Sequence, residues 1–434
     1  MSHTAFHCTR HFCAVALIAA APATTTAWTD IHRGPDHNAR IDAPAAVTDL
    51  TAAPAWVTGE ENLRPGCRPI LGHDRVYTVA IAEDPEDRVW IKAFDRQDGT
   101  LLAESGDLDV GSFVSFDSLS APAYDPLTDS LFFNSGSTVY SLDGITLATN
   151  WSTTLDAANT DSAAGAMYSF INASPAHGAG RVFVKTYDSA FGVDGSQVVA
   201  LDAGTGEVDW YARTGGRGVH SPLFMDHPEA GEIVLVEYQS TPDQVGFAAF
   251  AADGNGEEDP LWTTAWTAAT GSGFHGLWGD LVTDGEFVYT VTSDFVDGRL
   301  VRFRAEDGAL EYDLAAPGSD IPPILAPEGV FVLHGDGTLR RYSAADGTEE
   351  STANVASFLF RNYPAFMEDG FYLALPGEGL LLLGLDGAEL SLTPGFTGAA
   401  TVDGEEGSVY IGLEGGGLAK LEAPTRVYHW EVWE

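Results

Sequence analysis

Apolar and polar positions repeat along this chain as one phrase: an apolar run, an acidic residue, a tight turn ending in glycine, and an aromatic residue. In the clearest copy, residues 198–210, Trp210 follows Asp202 by eight positions. A constant offset indicates a constant structural role, so we interpret the ring as packing from an outer strand onto the next repeat, with the acidic side chain accepting turn amide hydrogens. The copies that keep this offset define a docking motif of Asp143, Trp151, Asp202, Gly206, Trp210, Tyr312 and Trp430.

Each phrase belongs to a larger unit of short strands rich in β-branched and aromatic residues. The units are separated by 36 to 59 residues, around the length of one four-stranded propeller blade. They open at Pro69, Pro122, Pro175, Pro222, Leu281, Pro323, Pro364 and Ala400. The sequence therefore predicts an all-β fold, an eight-bladed β-propeller of four-stranded antiparallel blades.

An N-terminal strand is expected to close this ring. Trp56 precedes Pro69 by 13 residues, close to the 12 that separate Trp210 from Pro222. We expect Trp56 to complete the last blade, with residues 428–433 beside it, because closure protects the seam from edge pairing. Trp430 competes for the same role, so the terminus that supplies the strand is left open by the sequence.

The first residues have the pattern of an export signal. A weakly basic start is followed by an apolar run over residues 12–22 and by small residues suited to cleavage. We therefore expect a signal peptide at 1–27, an arm at 28–50 and the propeller at 51–434, with the protein secreted or periplasmic. Removal of the leader leaves Cys67 alone, which excludes a disulfide, a cysteine zinc site and a haem-attachment motif.

The charge balance is strongly acidic: 63 Asp and Glu against 21 Lys and Arg give a formal net charge of −42. Such a surface repels phosphate backbones and anionic lipid, which argues against nucleic acid as a partner. Solubility in a saline habitat is one interpretation, and an acidic face for divalent cations or a basic partner is the other. No apolar run after the leader reaches the length of a transmembrane segment.

Residues 200–206, followed by Trp210, resemble the tryptophan-docking motif of pyrroloquinoline-quinone-like (PQQ-like) β-propellers. The resemblance spans about residues 50–434 and weakens in blades 5 and 6, where Arg304 and Ser343 replace the acidic residue. It implies either a BamB-like, non-catalytic propeller or a quinoprotein dehydrogenase with quinone, calcium and an acidic base. The sequence contains no adjacent cysteines and no recognisable set of acidic and amide ligands, so we predict no cofactor, PQQ and calcium included, and no catalytic residue.

Binding is expected on the face that carries the longer connections, since the acidic turns are short and uniform. The candidate residues there, beside the innermost strands, are Arg217, His220, Phe274, His275, Trp278, Arg361 and Tyr363. His220 and His275 lack a visible third ligand, so no metal site is predicted. We hypothesise a monomeric, exported binding platform for a protein or cell-surface component. The alternatives are a periplasmic quinoprotein dehydrogenase and a cation-dependent structural protein of the cell surface.

Overall fold

A computed structural model of the protein describes residues 38–42, 44–45, 47–59, 63, 67–82, 88–108, 121–156, 168–169, 173–187, 196–215, 221–241, 244–254, 259–267, 280–292, 298–316, 321–355, 363–375 and 377–422. Regular structure within these ranges is entirely β, in 33 strands arranged as eight antiparallel sheets. Consistent with this, these ranges include no helix of the length and apolarity needed to cross a membrane.

The first four blades follow one another along the chain. Blade 1 contains β2 (Ile70–Leu71), β3 (Arg75–Ala82), β4 (Arg88–Asp95) and β5 (Leu101–Glu104). Blade 2 contains β6 (Ala123–Asp125), β7 (Ser130–Ser135), β8 (Thr138–Asp143) and β9 (Thr149–Thr154). Blade 3 contains β10 (Tyr168–Ser169), β11 (Ala176–Gly178), β12 (Arg181–Tyr187), β13 (Gln197–Asp202) and β14 (Val208–Arg213). Blade 4 contains β15 (Leu223–His227), β16 (Gly231–Thr241), β17 (Gln244–Ala251) and β18 (Trp262–Thr267).

The last four blades complete the ring. Blade 5 contains β19 (Val282–Thr283), β20 (Phe287–Thr292), β21 (Arg299–Arg304) and β22 (Leu310–Ala315). Blade 6 contains β23 (Ile324–Ala326), β24 (Gly329–Leu333), β25 (Thr338–Tyr342) and β26 (Glu349–Asn354). Blade 7 contains β27 (Ala365–Phe366), β28 (Gly370–Leu375), β29 (Gly379–Gly384) and β30 (Glu389–Thr393). Blade 8 contains β31 (Phe396–Asp403), β32 (Ser408–Leu413), β33 (Leu418–Glu422) and β1 (Trp56–Val57).

This arrangement confirms the predicted eight-bladed propeller and its closure by an N-terminal strand, since β1 pairs with β33 at Trp56 and Lys420. One feature differs from a plain four-stranded blade. Blade 3 has a fifth strand, because β10 and β11 both pair with β12, one toward each of its ends.

The core lies between blades rather than inside any one of them. Middle strands such as β28 and β29 are buried along their whole length, because each of their two faces packs against a different neighbouring blade. Outer strands such as β26 are almost wholly exposed and carry polar residues. The continuous apolar run of β29 therefore marks a strand covered on both faces.

Tight turns join the third strand of each blade to the fourth. The predicted turn glycines Gly99, Gly206, Gly308, Gly347 and Gly387 all have positive φ, between 70° and 80°, which only glycine adopts without strain. Blades 5 and 6 keep the turn although Arg304 and Ser343 replace the acidic residue. The amide of Gly308 donates to the Arg304 carbonyl at 3.0 Å, and that of Gly347 to Ser343 at 2.9 Å. Backbone hydrogen bonds thus hold the turn there.

An N-terminal arm, residues 38–55, crosses blades 6 and 7 before it enters blade 8. It joins blade 6 through Asn38, whose side chain exchanges two hydrogen bonds with the backbone of Leu325, and then blade 7 through backbone hydrogen bonds to Phe366. Further along, the backbone of Val47 both accepts from and donates to the hydroxyl of Tyr372. The seam of the ring is therefore secured by this arm as well as by β1.

The connections divide the ring into two faces, because successive antiparallel strands turn at opposite ends of a blade. We call the end with the first and third turns of each blade the turn face, where the inner turns hold two to four residues. The opposite end, the loop face, carries all the blade-to-blade connections, which reach 14 residues at 268–281 and 18 at 105–122.

Candidate functional site

The docking residues lie at the boundaries between blades, near the turn face. Trp151 of blade 2 places its ring on Gly206 of blade 3 and donates from Nε1 to the Ala203 carbonyl at 2.9 Å. In the same way, Trp210 meets the turn of blade 4 and donates to Ala252 at 3.0 Å. Across the seam, Trp56 of blade 8 packs on the blade 1 turn. Each ring thus joins one blade to the next.

The carboxylates of the motif stabilise their own turns. Asp143 accepts from the amides of Ile145 and Thr146, and Asp202 accepts from those of Gly204 and Thr205. Hydrogen bonds from the turn favour the ionised form and lower the pKa of both carboxyls. Tyr312 lies against Gly347 of blade 6, and burial raises the pKa of its hydroxyl to about 12. Trp430 lies outside the described residues.

Trp262 has the same role but escapes the sequence pattern. Its ring lies on Gly308 of blade 5, and Nε1 donates to the Ala305 carbonyl at 3.1 Å. Blade 4 ends its third strand on Ala251 instead of an acidic residue, and a ten-residue connection, 252–261, precedes the outer strand. The offset therefore grows from eight to eleven, so a search for the phrase does not find it.

Of the seven candidate binding residues, the structure places Tyr363, and the other six lie outside the described residues: Arg217, His220, Phe274, His275, Trp278 and Arg361. The backbone carbonyl of Tyr363 accepts a hydrogen bond from Nη2 of Arg68 at 2.8 Å, and the guanidinium lies 5.8 Å from the centre of its ring. Arg68 is fully buried and also donates to the Pro364 carbonyl. It ties blade 1 to blade 7 across the loop-face end of blade 8. The sequence gave no signal for it except its position beside Pro69.

Hydrogen bonds link the entries of neighbouring inner strands on the loop face. The amide of Ala121 donates to the Ser174 hydroxyl at 3.0 Å, and the amide of Ser174 donates to the Ser221 hydroxyl at 3.0 Å. The amide of Ser221 in turn donates to Oδ1 of Asp280 at 2.7 Å. Blades 2 to 5 are thereby joined in sequence. Ser221 and Asp280 directly follow the connections that contain His220 and Trp278, so the ends of both connections are fixed.

A buried lysine fixes the start of one of these connections. Nζ of Lys185 donates to the Thr214 hydroxyl at 2.5 Å and to the Gly215 carbonyl at 2.9 Å, directly before residues 216–220. Burial lowers the pKa of this amine to about 8, against the opposing effect of Glu237 in blade 4. Lys185 and Ser221 therefore hold the two ends of the connection that carries Arg217 and His220.

The described residues do not gather a donor set for a metal ion. None of them forms a group of three His, Cys, Asp or Glu side chains that could hold one. Asp280, the buried carboxylate at the loop face, already accepts the Ser221 amide. A calcium ion beside a quinone needs several oxygen ligands, and this part of the chain does not supply them.

The comparisons with known proteins agree with this architecture. The family described as outer membrane protein assembly factor BamB matches residues 87–241 and 247–391. Among solved structures, BamB from Moraxella catarrhalis is 14% identical with a TM-score of 0.59, covering 85% of this chain and 97% of that one. A europium-containing methanol dehydrogenase is 12% identical, with a TM-score of 0.65 and 90% of both chains covered.

A quinohemoprotein alcohol dehydrogenase, ADHIIG from Pseudomonas putida HK5, is 13% identical with a TM-score of 0.62, covering 89% of this chain and 75% of that one. A search of the curated proteins finds no match. Because identities this low reflect the fold alone, the solved structures support a shared propeller architecture without distinguishing a binding protein from an enzyme.

Proposed function

Since this chain belongs to the family described as outer membrane protein assembly factor BamB, we propose that it is an exported, non-catalytic propeller that binds a protein or envelope component on its loop face. The observation that carries the proposal is the contrast between the two faces. The turn face is built from short inner turns, whereas the loop face carries long connections whose ends are held by the buried side chains of Lys185, Ser221 and Asp280. A rigid ring with fixed loop ends suits binding, because little order is lost when the partner docks.

Alanine replacement of Phe274, His275 and Trp278 tests this proposal. We expect the triple variant to lose capture of a partner from a native envelope fraction, while its melting temperature stays within about 2 °C of the parent. A matched control replaces Thr352, Glu350 and Leu390, which lie on the outer strands of blades 6 and 7, and should leave this capture intact. Equal capture by both proteins, or a loss of stability in the first variant, would count against the loop-face site.

The oxidoreductase alternative is separated by a direct assay. The purified protein is titrated with pyrroloquinoline quinone and calcium, and dye reduction is followed with alcohols and sugars as substrates. The binding platform predicts neither saturable quinone binding nor turnover. Turnover that depends on the added quinone would replace the platform with an enzyme.

A further inference from the structure

The strand register defines one equivalent position on the outer strand of every blade. In blades that dock an aromatic ring, this residue pairs with the third strand next to a bulge, as Trp151 pairs with Ser141 and Tyr312 with Arg302. The same register identifies the eight equivalents as Trp56, Ala103, Trp151, Trp210, Trp262, Tyr312, Ser351 and Ser391. Five are aromatic, and three are too small to reach the next blade.

Two of the small residues are compensated by other parts of the chain. Opposite Ala103, the turn of blade 2 places Leu147 where other turns have glycine, and this leucine is 1% exposed with a φ of 56°. At Ser391, the N-terminal arm covers the site: the amide of Leu50 donates to the Ser391 hydroxyl at 3.0 Å, and Leu50 is buried. Both boundaries are therefore filled without an aromatic ring.

The third small residue, Ser351, has no such compensation within the described chain. It is exposed, and the facing turn keeps its glycine, Gly387, with a φ of 80°. Of the outer strand, Ala353 and the Asn354 backbone approach that glycine, whereas at Gly206 the Trp151 ring does so. Leu390 and Leu392 on the blade 7 side remain 57% and 37% exposed.

These residues line one groove. Ser351 pairs with Arg341, which pairs with Phe331, and Phe331 contacts Phe366 of blade 7, so this side of blade 6 faces blade 7. On blade 7, Leu392 pairs with Leu381 on the side that faces blade 6. We call the groove formed by Ser351, Ala353, Gly387, Leu390 and Leu392 the blade 6–7 slot.

The chemistry of the slot indicates its occupant. At five other boundaries this ring fills the corresponding place with an indole or a phenol, and Trp151, Trp210 and Trp262 each donate to the carbonyl just after the third strand. The corresponding carbonyl here belongs to Leu385. Exposed carboxylates surround the slot, from Glu350, Asp386 and Glu389, and Arg341 is ion-paired with Glu350 at 3.1 Å. A basic segment complements this rim.

We propose that the blade 6–7 slot is a docking site for a tryptophan presented by an extended, basic segment of a partner protein. The indole covers the exposed leucines and donates to Leu385, as the ring's own tryptophans do at their boundaries, and the lysines or arginines of the segment meet the carboxylate rim. This contact lies on the outer edge of the ring, away from the loop face, so it stands or falls independently of the loop-face site.

A synthetic peptide provides the probe. It carries the sequence of β9, Thr149–Thr154, which fills the equivalent slot between blades 2 and 3, with a fluorescein label and a pair of lysines at each end. Fluorescence anisotropy with the full-length protein should give saturable binding. The same peptide with alanine in place of its tryptophan has identical charge and should bind about tenfold more weakly. Equal binding of the two peptides would reduce the interaction to non-specific charge attraction and overturn the proposal.

Two variants of the protein locate the binding site. Ser351→Trp supplies the missing ring from within the chain, so it should abolish the tryptophan-dependent binding and raise the melting temperature. Thr352→Trp places the same ring on the opposite side of the same strand and should leave binding unchanged. Retained binding in a folded S351W protein, or an equal loss in both variants, would contradict the slot. If S351W does not fold, the comparison of the two peptides on the parent protein still decides the question.

Discussion

Lysine is used at only three positions in this acidic chain, and all three side chains lie inside the ring. Lys92, Lys185 and Lys420 are 5%, 1% and 3% exposed. Lys92 pairs with Glu104 at 3.2 Å and Lys420 with Glu422 at 2.5 Å, whereas Lys185 is held by a hydroxyl and a carbonyl. A buried amine next to neutral oxygens keeps the cost of its lost hydration, while one with a nearby carboxylate recovers part of it. The two kinds of lysine should therefore respond differently to pH.

Lys185→Met should remove a rise in stability at alkaline pH. The folded pKa of about 8 lies below the value of 10.5 for the free side chain, so between these values the unfolded chain binds more protons and stability increases with pH. Parent and K185M are unfolded with urea from pH 7.5 to 10.5. Their difference in unfolding free energy should shift in favour of the parent by on the order of 3 kcal/mol, at about 1.4 kcal/mol per pKa unit.

Lys420→Met is the control for this measurement. Its neighbouring carboxylates raise the folded pKa of Lys420 above 10.5, although burial opposes them, so the stability it contributes is present below that pH and is lost as pH rises further. K420M should accordingly show no rise in the same window. A constant difference between parent and K185M would mean that Lys185 is not destabilised by its burial.

At the scale of elements, the blade boundaries show one problem solved in several ways. Wherever an aromatic ring packs on a turn, the turn residue is a glycine with positive φ, because a Cβ there would overlap the ring. Where the ring is missing at Ala103, Leu147 adopts that same conformation and supplies the apolar contact itself. Ring and turn residue thus form one packing unit shared by two blades.

This pairing predicts a strong coupling between Ala103 and Leu147. Leu147→Gly should destabilise the protein by about 2–4 kcal/mol, since the lost leucine leaves a cavity and relief of the strained φ recovers only part of the cost. Ala103→Trp alone should destabilise it as well, because the indole meets Leu147. The double variant recreates the Trp151 and Gly206 pair and should recover at least half of the summed loss in a urea-unfolding cycle. Additive losses would show that the two positions do not share a packing site.

Sequence reasoning works where one residue repeats in a constant local frame. The eight-residue offset of Trp151 and Trp210 reflects a single turn geometry, so it predicts both the blade and the neighbour it contacts. It misses Trp262, whose longer turn changes the offset, and it misses Arg68 and Leu147, because their roles depend on contacts with other blades that no local pattern encodes. The candidate binding residues are harder still. Six of the seven fall in connections whose length varies from blade to blade, so no repeat constrains them, and they stay predictions.

At the scale of the whole molecule, the placement of charge separates the surface from the interior. The chain carries a formal charge of −42, and its lysines are internal. Many carboxylates occupy exposed turns and outer strands, as in β26. Repulsion among exposed charges is long-ranged in dilute salt, where the Debye length is about 10 Å at 0.1 M, and is confined to about 3 Å at 1 M. The compact ring concentrates these charges more than the unfolded chain does, so salt should favour the folded state.

We therefore expect the melting temperature to rise by several degrees as sodium chloride increases from roughly 0.05 to 1 M. Potassium chloride should have the same effect, because screening depends on ionic strength and not on the identity of the monovalent cation. Calcium chloride, matched in ionic strength, distinguishes screening from binding. Coincident curves assign the charge to solubility in salt, whereas extra stabilisation by calcium at sub-millimolar concentration indicates specific sites and favours the cation-dependent structural protein. A melting temperature that is flat or falls with salt would show that the folded ring is not limited by its own charge.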